Sequence, residues 1–210
     1  MTLKRRYDKT HLYEAGVDEA GRGCLAGDVY AAAVVFPPDY ENEDINASKK
    51  LSPRKREQLA EVICRHALAV GVGIATVEEI DRMNILNAAM LAMRRALDEV
   101  RRQVPIDFIL VDGNRFPGVD YAPHKTIVKG DATYLSIAAA SIIAKTRRDN
   151  AMKALSSDYP YYAWNENAGY PTKKHRDAIR QYGPCLHHRK SFTLLKSPDK
   201  DFPKNHDHTK

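Results

Sequence analysis

Residues 105 to 113 read Pro-Ile-Asp-Phe-Ile-Leu-Val-Asp-Gly, and the apolar run Phe108 to Val111 is unbroken between the proline and the Asp-Gly pair. A strand with one wet face would alternate. This one has no polar position, so it reads as a central strand buried on both faces of a sheet. Asp112 therefore stands at the C-terminal end of a buried strand, on the rim where open α/β sheets tend to place their ligands.

Working outward toward the N-terminus, Thr76 and Glu79 have the spacing of a capping box. Ile85, Ala89, Met93, Ala96, Leu97 and Val100 recur behind them every three or four residues, as in one long amphipathic helix. Ala67 to Ala75 reads as a strand. Ser52 and Pro53 supply an N-cap and an N1 proline for a helix with Leu59, Val62, Ile63 and His66 on its apolar stripe. Leu12 to Asp18 and Val29 to Phe36 read as strands joined as a hairpin across Gly21-Arg22-Gly23, and Pro37-Pro38 stops the second.

Toward the C-terminus, Ile127 and Val128 suggest a short strand, and Thr133 to about Leu155 forms the most alanine-rich helix. Ser141, Lys145 and Asp149 lie four apart and share one face of it. Asp158 to Tyr170 shows little periodicity and reads as a loop. Thr172 caps a last helix that ends at Gly183, and the charged stretch from Ser197 to Lys210 reads as a disordered tail.

The pattern is that of a single α/β domain, β-rich at first, alternating in the middle and helical later, which suits a chain of 210 residues. Lysine and arginine total 33 against 27 acidic residues, a net charge of +6, so polyanions are plausible partners. Cys24, Cys64 and Cys185 are widely spaced with no CxxC pair. That argues against a disulfide framework or a zinc knuckle and for a reducing, cytoplasmic setting. The N-terminus lacks an apolar signal core and no stretch is long and apolar enough for a bilayer, so no membrane association is expected.

Four acids stand out by position: Asp18 and Glu19 at the end of the first strand, Asp112, and Asp149 on the alanine-rich helix. Taken singly, each is more often a turn starter or a solvated surface charge. Together at one sheet edge they would repel, and a cation would have to neutralise them. All-oxygen ligation suits Mg²⁺ or Mn²⁺, and two such ions about 4 Å apart can clamp a phosphodiester. Adjacent strand residues point to opposite faces, so Asp18 and Glu19 can both serve only if the alternation breaks at the turn near Ala20.

The segments GVDEAGRG (16–23), LVDG (110–113) and IAAASIIAKTRRD (137–149) resemble the active-site motifs of ribonuclease HII. So, in order and spacing, do SKKLSPRKRE (48–57), GYPTKKH (169–175) and HRKSF (188–192). The likeness implies an RNase H-like fold over residues 13–195, a mixed five-stranded sheet flanked by helices with a helical C-terminal part. Residues 1–12 would be an N-terminal extension and 196–210 the tail. It implies an endonuclease that cuts the RNA strand of RNA-DNA hybrids, and cuts 5′ of single ribonucleotides embedded in duplex DNA. Two Mg²⁺ or Mn²⁺ ions would be held by Asp18, Glu19, Asp112 and Asp149, and the products would carry 3′-hydroxyl and 5′-phosphate ends. Gly21, Arg22 and Gly23 match the segment that feels the 2′-hydroxyl, and Tyr170 matches the tyrosine packed on the junction sugar. The cellular roles implied are primer removal and ribonucleotide excision, by a protein that is expected to be a monomer.

Glycines let a backbone approach a sugar, and a 2′-hydroxyl is what distinguishes RNA from DNA. Lys49, Lys50, Lys145, Arg147, Lys173 and Lys174 stand in or beside these motifs, where they could neutralise phosphates. Ala47, Cys24, Asp28 and Pro171 depart from the family's usual residues without removing a metal ligand. Gly21 to Gly27 is no dinucleotide fingerprint, because its spacing is one residue too long and a strand follows it. Ser141 and Lys145 read as a small packing residue and a phosphate-facing lysine rather than a nucleophile pair, and His187 and His188 as residues that dock or solvate the C-terminal segment. The competing readings are a non-catalytic nucleic-acid-binding module and another nuclease of this fold, such as a resolvase or ribonuclease HIII. The four acids argue against the first. The GRG segment and the 17 residues before Asp18 argue against the second.

Overall fold

The computed structural model describes residues 3 to 195. The tail expected over 196–210 lies outside the described residues. A five-stranded sheet runs in the order β3-β2-β1-β4-β5. Its strands are β1 (Glu14–Ala20), β2 (Val29–Val35), β3 (Ala69–Ala75), β4 (Phe108–Asp112) and β5 (His124–Ile127). β2 is antiparallel to β1 and β3, whereas β1, β4 and β5 run parallel, so the sheet is mixed. β4 lies between two strands, and Ile109, Leu110 and Val111 are wholly buried, as its unbroken apolar run requires.

The helices are α1 (Pro53–His66), α2 (Val77–Met83), α3 (Ile85–Arg101), α4 (Leu135–Asp158), α5 (Trp164–Asn167) and α6 (Lys173–Tyr182). α3 covers one face of the sheet, where Ala15, Val17, Ala31 and Ala33 meet Ala88, Ala92 and Ala96. α4 and α1 cover the other, where Ala32 and Val34 meet Ala138, Ile142 and Ile63. Small residues bring these layers close. A Cβ on Gly16 would lie 2.3 Å from the carbonyl carbon of Ser136 and 2.4 Å from the nitrogen of Ile137, both backbone atoms at the start of α4. Gly16→Ala therefore forces α4 off the sheet. We expect it to cost about 3 kcal/mol, the upper end for overpacking, and to lower Tm by roughly 10 °C in calorimetry. An unchanged Tm would show that α4 is free to shift.

Three expectations change. The long helix after Thr76 is two: Thr76 and Glu79 do form the capping box, but Asn84 at φ 69° ends α2, and its Oδ1 caps Leu86 and Asn87 to begin α3. Asparagine is among the few residues that tolerate positive φ, and its side chain supplies the new cap. His66 is exposed and rests on the Tyr40 ring instead of joining the stripe of Leu59 and Ile63. The hairpin is as expected, with β1 and β2 antiparallel across the folded loop 21–28. The stretch 158–170 is not a loop: it folds as a short turn at Pro160–Tyr162 and α5, and it buries Tyr162 and Trp164. Aromatic residues make this third core by ring area, so it carries no helical period.

That core holds two wholly buried histidines. Trp164 Nε1 donates to His175 Nε2 at 3.0 Å, and the Cys185 amide donates to His188 Nδ1 at 3.0 Å. Each ring thus has a nitrogen that must keep its lone pair, and both are neutral. Burial pushes both pKa values down, His188 to about 3. Unfolded histidines take up protons below about pH 6.5 and these do not, so stability is lost as pH falls from neutral. His188 alone accounts for on the order of 3 kcal/mol between pH 7 and pH 4. The Tm gap between wild type and His188→Gln should therefore narrow over that range. A constant gap would show that His188 titrates normally.

Candidate active site

The parallel pairing of β1 with β4 ends at Val17 with Val111, so Asp18 and Asp112 are the next residues out on neighbouring strands. Both reach the rim together. Asp18 is 6% exposed on the α4 side of the sheet. The alternation does not break near Ala20, because β1 pairs regularly with β2 through Glu19 and Ala20. Glu19 serves the rim in another way, by lining openings on both sides of the sheet end. One, of about 400 Å³, holds Asp18, Glu19, Asp112 and Asp131. The other, of about 320 Å³, holds Glu19, Asp112 and Arg22 against Met90 and Met93 of α3.

The carboxylates are electrostatically strained. Burial raises the pKa of Asp18 well above the ordinary range, and the charges of Glu19 and Asp112 raise it further, although the Glu19 amide donates to its Oδ1 at 2.7 Å. Burial also raises Glu19, against the pull of Arg22 Nη1 at 3.0 Å. Burial raises Asp112, with Asp131 adding to it and the Gly130 amide, 2.7 Å from Oδ1, opposing it. A bound cation would relieve all three. The donors are oxygens, which suits Mg²⁺ or Mn²⁺. Among the described residues no three Asp, Glu, His or Cys side chains form a ready cage. Magnesium usually keeps waters and binds through one or two carboxylates plus substrate phosphate, so an open rim of this kind fits it.

Asp131 is the site residue that the sequence reading missed. It sits on the 3-10 turn Gly130–Ala132 between β5 and α4, which begins at Lys129 in the left-handed region (φ 58°). The signal was available: an acid a few residues beyond a strand's C-terminal end, as with Asp112. Asp149, expected in its place, is not among the residues around the cavity. Its carboxylate lies between Lys145 Nζ, at 2.7 and 2.9 Å, and Arg56 Nη2, at 2.8 Å. It is on the face of α4 that carries Ser141 and Lys145, but two turns past Ser141, roughly 12 Å along the axis. Ser141 and Lys145 do reach the cavity. Ser141 shares a 2.9 Å hydrogen bond with Ser48 and also hydrogen-bonds the Asp18 carboxylate, so it is part of the rim and not only a small packing residue.

Gly21, Arg22, Gly23, Lys49 and Tyr170 also line the cavity. Gly21 has φ +98°, and a Cβ there would lie 2.0 Å from Arg148 Nε, so only glycine fits. The Tyr170 ring lies 5.4 Å from Lys145 Nζ. Lys173 and Lys174 are paired with Asp177 and Glu166, and Arg147 is exposed. The unusual residues have local uses. Asp28 Oδ1 accepts from the Val77 amide at the start of α2, and Cys24 is buried beside the Tyr170 hydroxyl. No helix among the described residues is long and apolar enough to cross a membrane.

The architecture and the sequence have close parallels. The structure of ribonuclease H2 from Pyrococcus horikoshii OT3 superposes with a TM-score of 0.72 at 28% identity, covering 87% of this chain and 94% of that one. A ribonuclease HIII structure, Bst-RNase HIII in complex with Mn²⁺, shares the fold at a TM-score of 0.71 and 18% identity, over 87% of this chain and 68% of that one. The ribonuclease HII of Phocaeicola vulgatus is 56% identical over 189 residues, covering 90% of this chain and 93% of the relative. That of Parabacteroides distasonis is 57% identical over 189 residues, covering 90% and 94%. The family model for ribonuclease HII matches residues 15–195, which takes in the sheet, the carboxylate rim and the GRG loop. With that span matched and more than half of the positions shared with these relatives, the chain belongs to the ribonuclease HII family.

Proposed function

We propose that residues 13–195 form an endonuclease that hydrolyses the RNA strand of RNA-DNA hybrids. The same site would cut 5′ of single ribonucleotides embedded in duplex DNA and leave 3′-hydroxyl and 5′-phosphate ends. The observation that carries this reading is the convergence of Asp18, Glu19, Asp112 and Asp131 in one cavity with the Gly21-Arg22-Gly23 turn and Tyr170. Those four carboxylates, with Asp131 in the place first given to Asp149, would hold two Mg²⁺ or Mn²⁺ ions. When bound, such ions supply an activated water and stabilise the leaving oxygen. The Mn²⁺ in the ribonuclease HIII neighbour supports a divalent ion.

The chain's own groups do the rest. Lys49 and Lys145 place positive charge beside the acids, where the phosphate backbone must pass. The Tyr170 ring offers a flat apolar face to a sugar. The turn's backbone meets the ribose where a side chain would obstruct it. Free cysteines fit a reducing cytoplasm.

The test is cleavage, with Mg²⁺ and then Mn²⁺, of three labelled duplexes: all-DNA, DNA with one ribonucleotide, and an RNA-DNA hybrid. Cutting 5′ of the lone ribonucleotide with all-DNA intact is expected. Cutting of the hybrid alone would place the activity with another ribonuclease H type, and no divalent-dependent cutting would favour a binding module.

A further inference from the structure

The Cys24 amide donates to the Gly21 carbonyl at 3.3 Å, which closes a β-turn with Arg22 and Gly23 at its centre. The central peptide of such a turn has two orientations, types I and II, related by a flip that exchanges the directions of its C=O and N–H. Type II needs positive φ at the third residue. Glycine adopts that as readily as negative φ, so Gly23 by itself leaves the turn free to flip.

One buried side chain decides between the two. The Arg22 carbonyl accepts from Arg189 Nη1 at 3.0 Å, and Gly23 stays out of the positive-φ region. Arg189 is wholly buried and has no carboxylate in salt-bridge range among the described residues. Its other donors go to the Gly27 carbonyl, from Nε at 2.9 Å and Nη2 at 2.7 Å, and to that of Asp28 at 3.4 Å. Burial lowers its pKa to about 10, which leaves it charged at neutral pH.

A trans peptide sets its C=O and N–H in opposite directions. With the Arg22 carbonyl turned inward to Arg189, the Gly23 N–H turns outward. Gly23 lines the cavity, and its N–H has no hydrogen-bond partner among the described residues. We propose that Arg189 is a positioning residue for ribonucleotide recognition: it locks the Arg22–Gly23 peptide so that an N–H, and not a carbonyl, faces the sugar. The N–H can donate to the 2′-oxygen. A flipped turn would instead set a carbonyl oxygen there, and the 2′-oxygen, which DNA lacks, would lose its donor. The inference rests on the reading that this cavity takes a ribonucleotide.

The test compares two constants on one preparation of the full chain: KM for the lone-ribonucleotide duplex and Ki for the all-DNA duplex as a competitor. Neither depends on the folded fraction. Arg189→Lys keeps the buried charge but not the fork, and it should raise KM about tenfold, the worth of one hydrogen bond, with Ki unchanged. A parallel rise in both constants, or no rise in either, would overturn the proposal, since an arginine that only holds the fold cannot separate them. If wild type itself shows KM equal to Ki, the 2′-hydroxyl reading of the cavity is what fails. Should Arg189→Lys not fold, hydrogen exchange on wild type decides. The Gly23 amide should exchange freely in the free protein and slow with the ribonucleotide duplex but not with all-DNA, and equal protection by both duplexes overturns the assignment.

Discussion

Asp18→Asn is expected to lower the rate of ribonucleotide cleavage by roughly a thousandfold, about 4 kcal/mol of barrier, while raising Tm in the absence of divalent ions. The two effects have one cause. Asp18 is buried beside Glu19 and Asp112, and burial with those two charges makes its ionised form costly. A group whose folded pKa is raised above its unfolded value destabilises the folded state at neutral pH, and the neutral amide removes that cost. Asparagine keeps an oxygen to accept the Glu19 amide, so the rim retains its shape. It gives up half of the donor pair that an ion needs between β1 and β4. Differential scanning calorimetry with and without Mg²⁺ reads both sides. Wild type should gain stability from the ion, and the variant should start higher and gain little. A variant that loses activity and Tm together would mean that Asp18 serves packing.

Much of this was legible in the sequence, for reasons that differ by element. Phe108 to Val111 announced a central strand because burial on both faces leaves no polar position. Ser52, Thr76 and Thr172 announced helix starts because an N-cap is a local interaction whose partners lie three residues away. Asn84 hid the break between α2 and α3 because the apolar period continues across it. The aromatic core of Tyr162, Trp164, His175 and His188 was invisible because its members come from separate elements and meet only in the tertiary fold. The same limit applies to Arg189. Spacing places it in a motif, but only the fold brings it 3.0 Å from a carbonyl 167 positions away.

The acids show this limit most sharply, and they set the last expectation. Helical spacing put Asp149 on the face of Ser141 and Lys145 without saying how far along the axis the cavity extends. Asp131 lies on a turn with no period, so its one sequence signal was its place a few residues beyond a strand end, and the fold turns that place into a rim position. Asp131→Asn should therefore lower cleavage by roughly a hundredfold or more with little change in Tm, because the amide keeps the size of the side chain but not the charge that an ion would need. Asp149→Asn should do the reverse. It strips the partner from Arg56, whose side chain is 9% exposed, and from Lys145, costing about 2 kcal/mol after allowance for the partial exposure of the pair. Cleavage should fall less than about tenfold, through a looser Lys145, and the Tm gain on adding Mg²⁺ should persist. Measured side by side, the two variants separate a metal ligand from a clamp. If Asp149→Asn abolished the Mg²⁺ response and Asp131→Asn kept it, the metal set would have to be redrawn around α4, with Lys145 moving aside to free the Asp149 carboxylate.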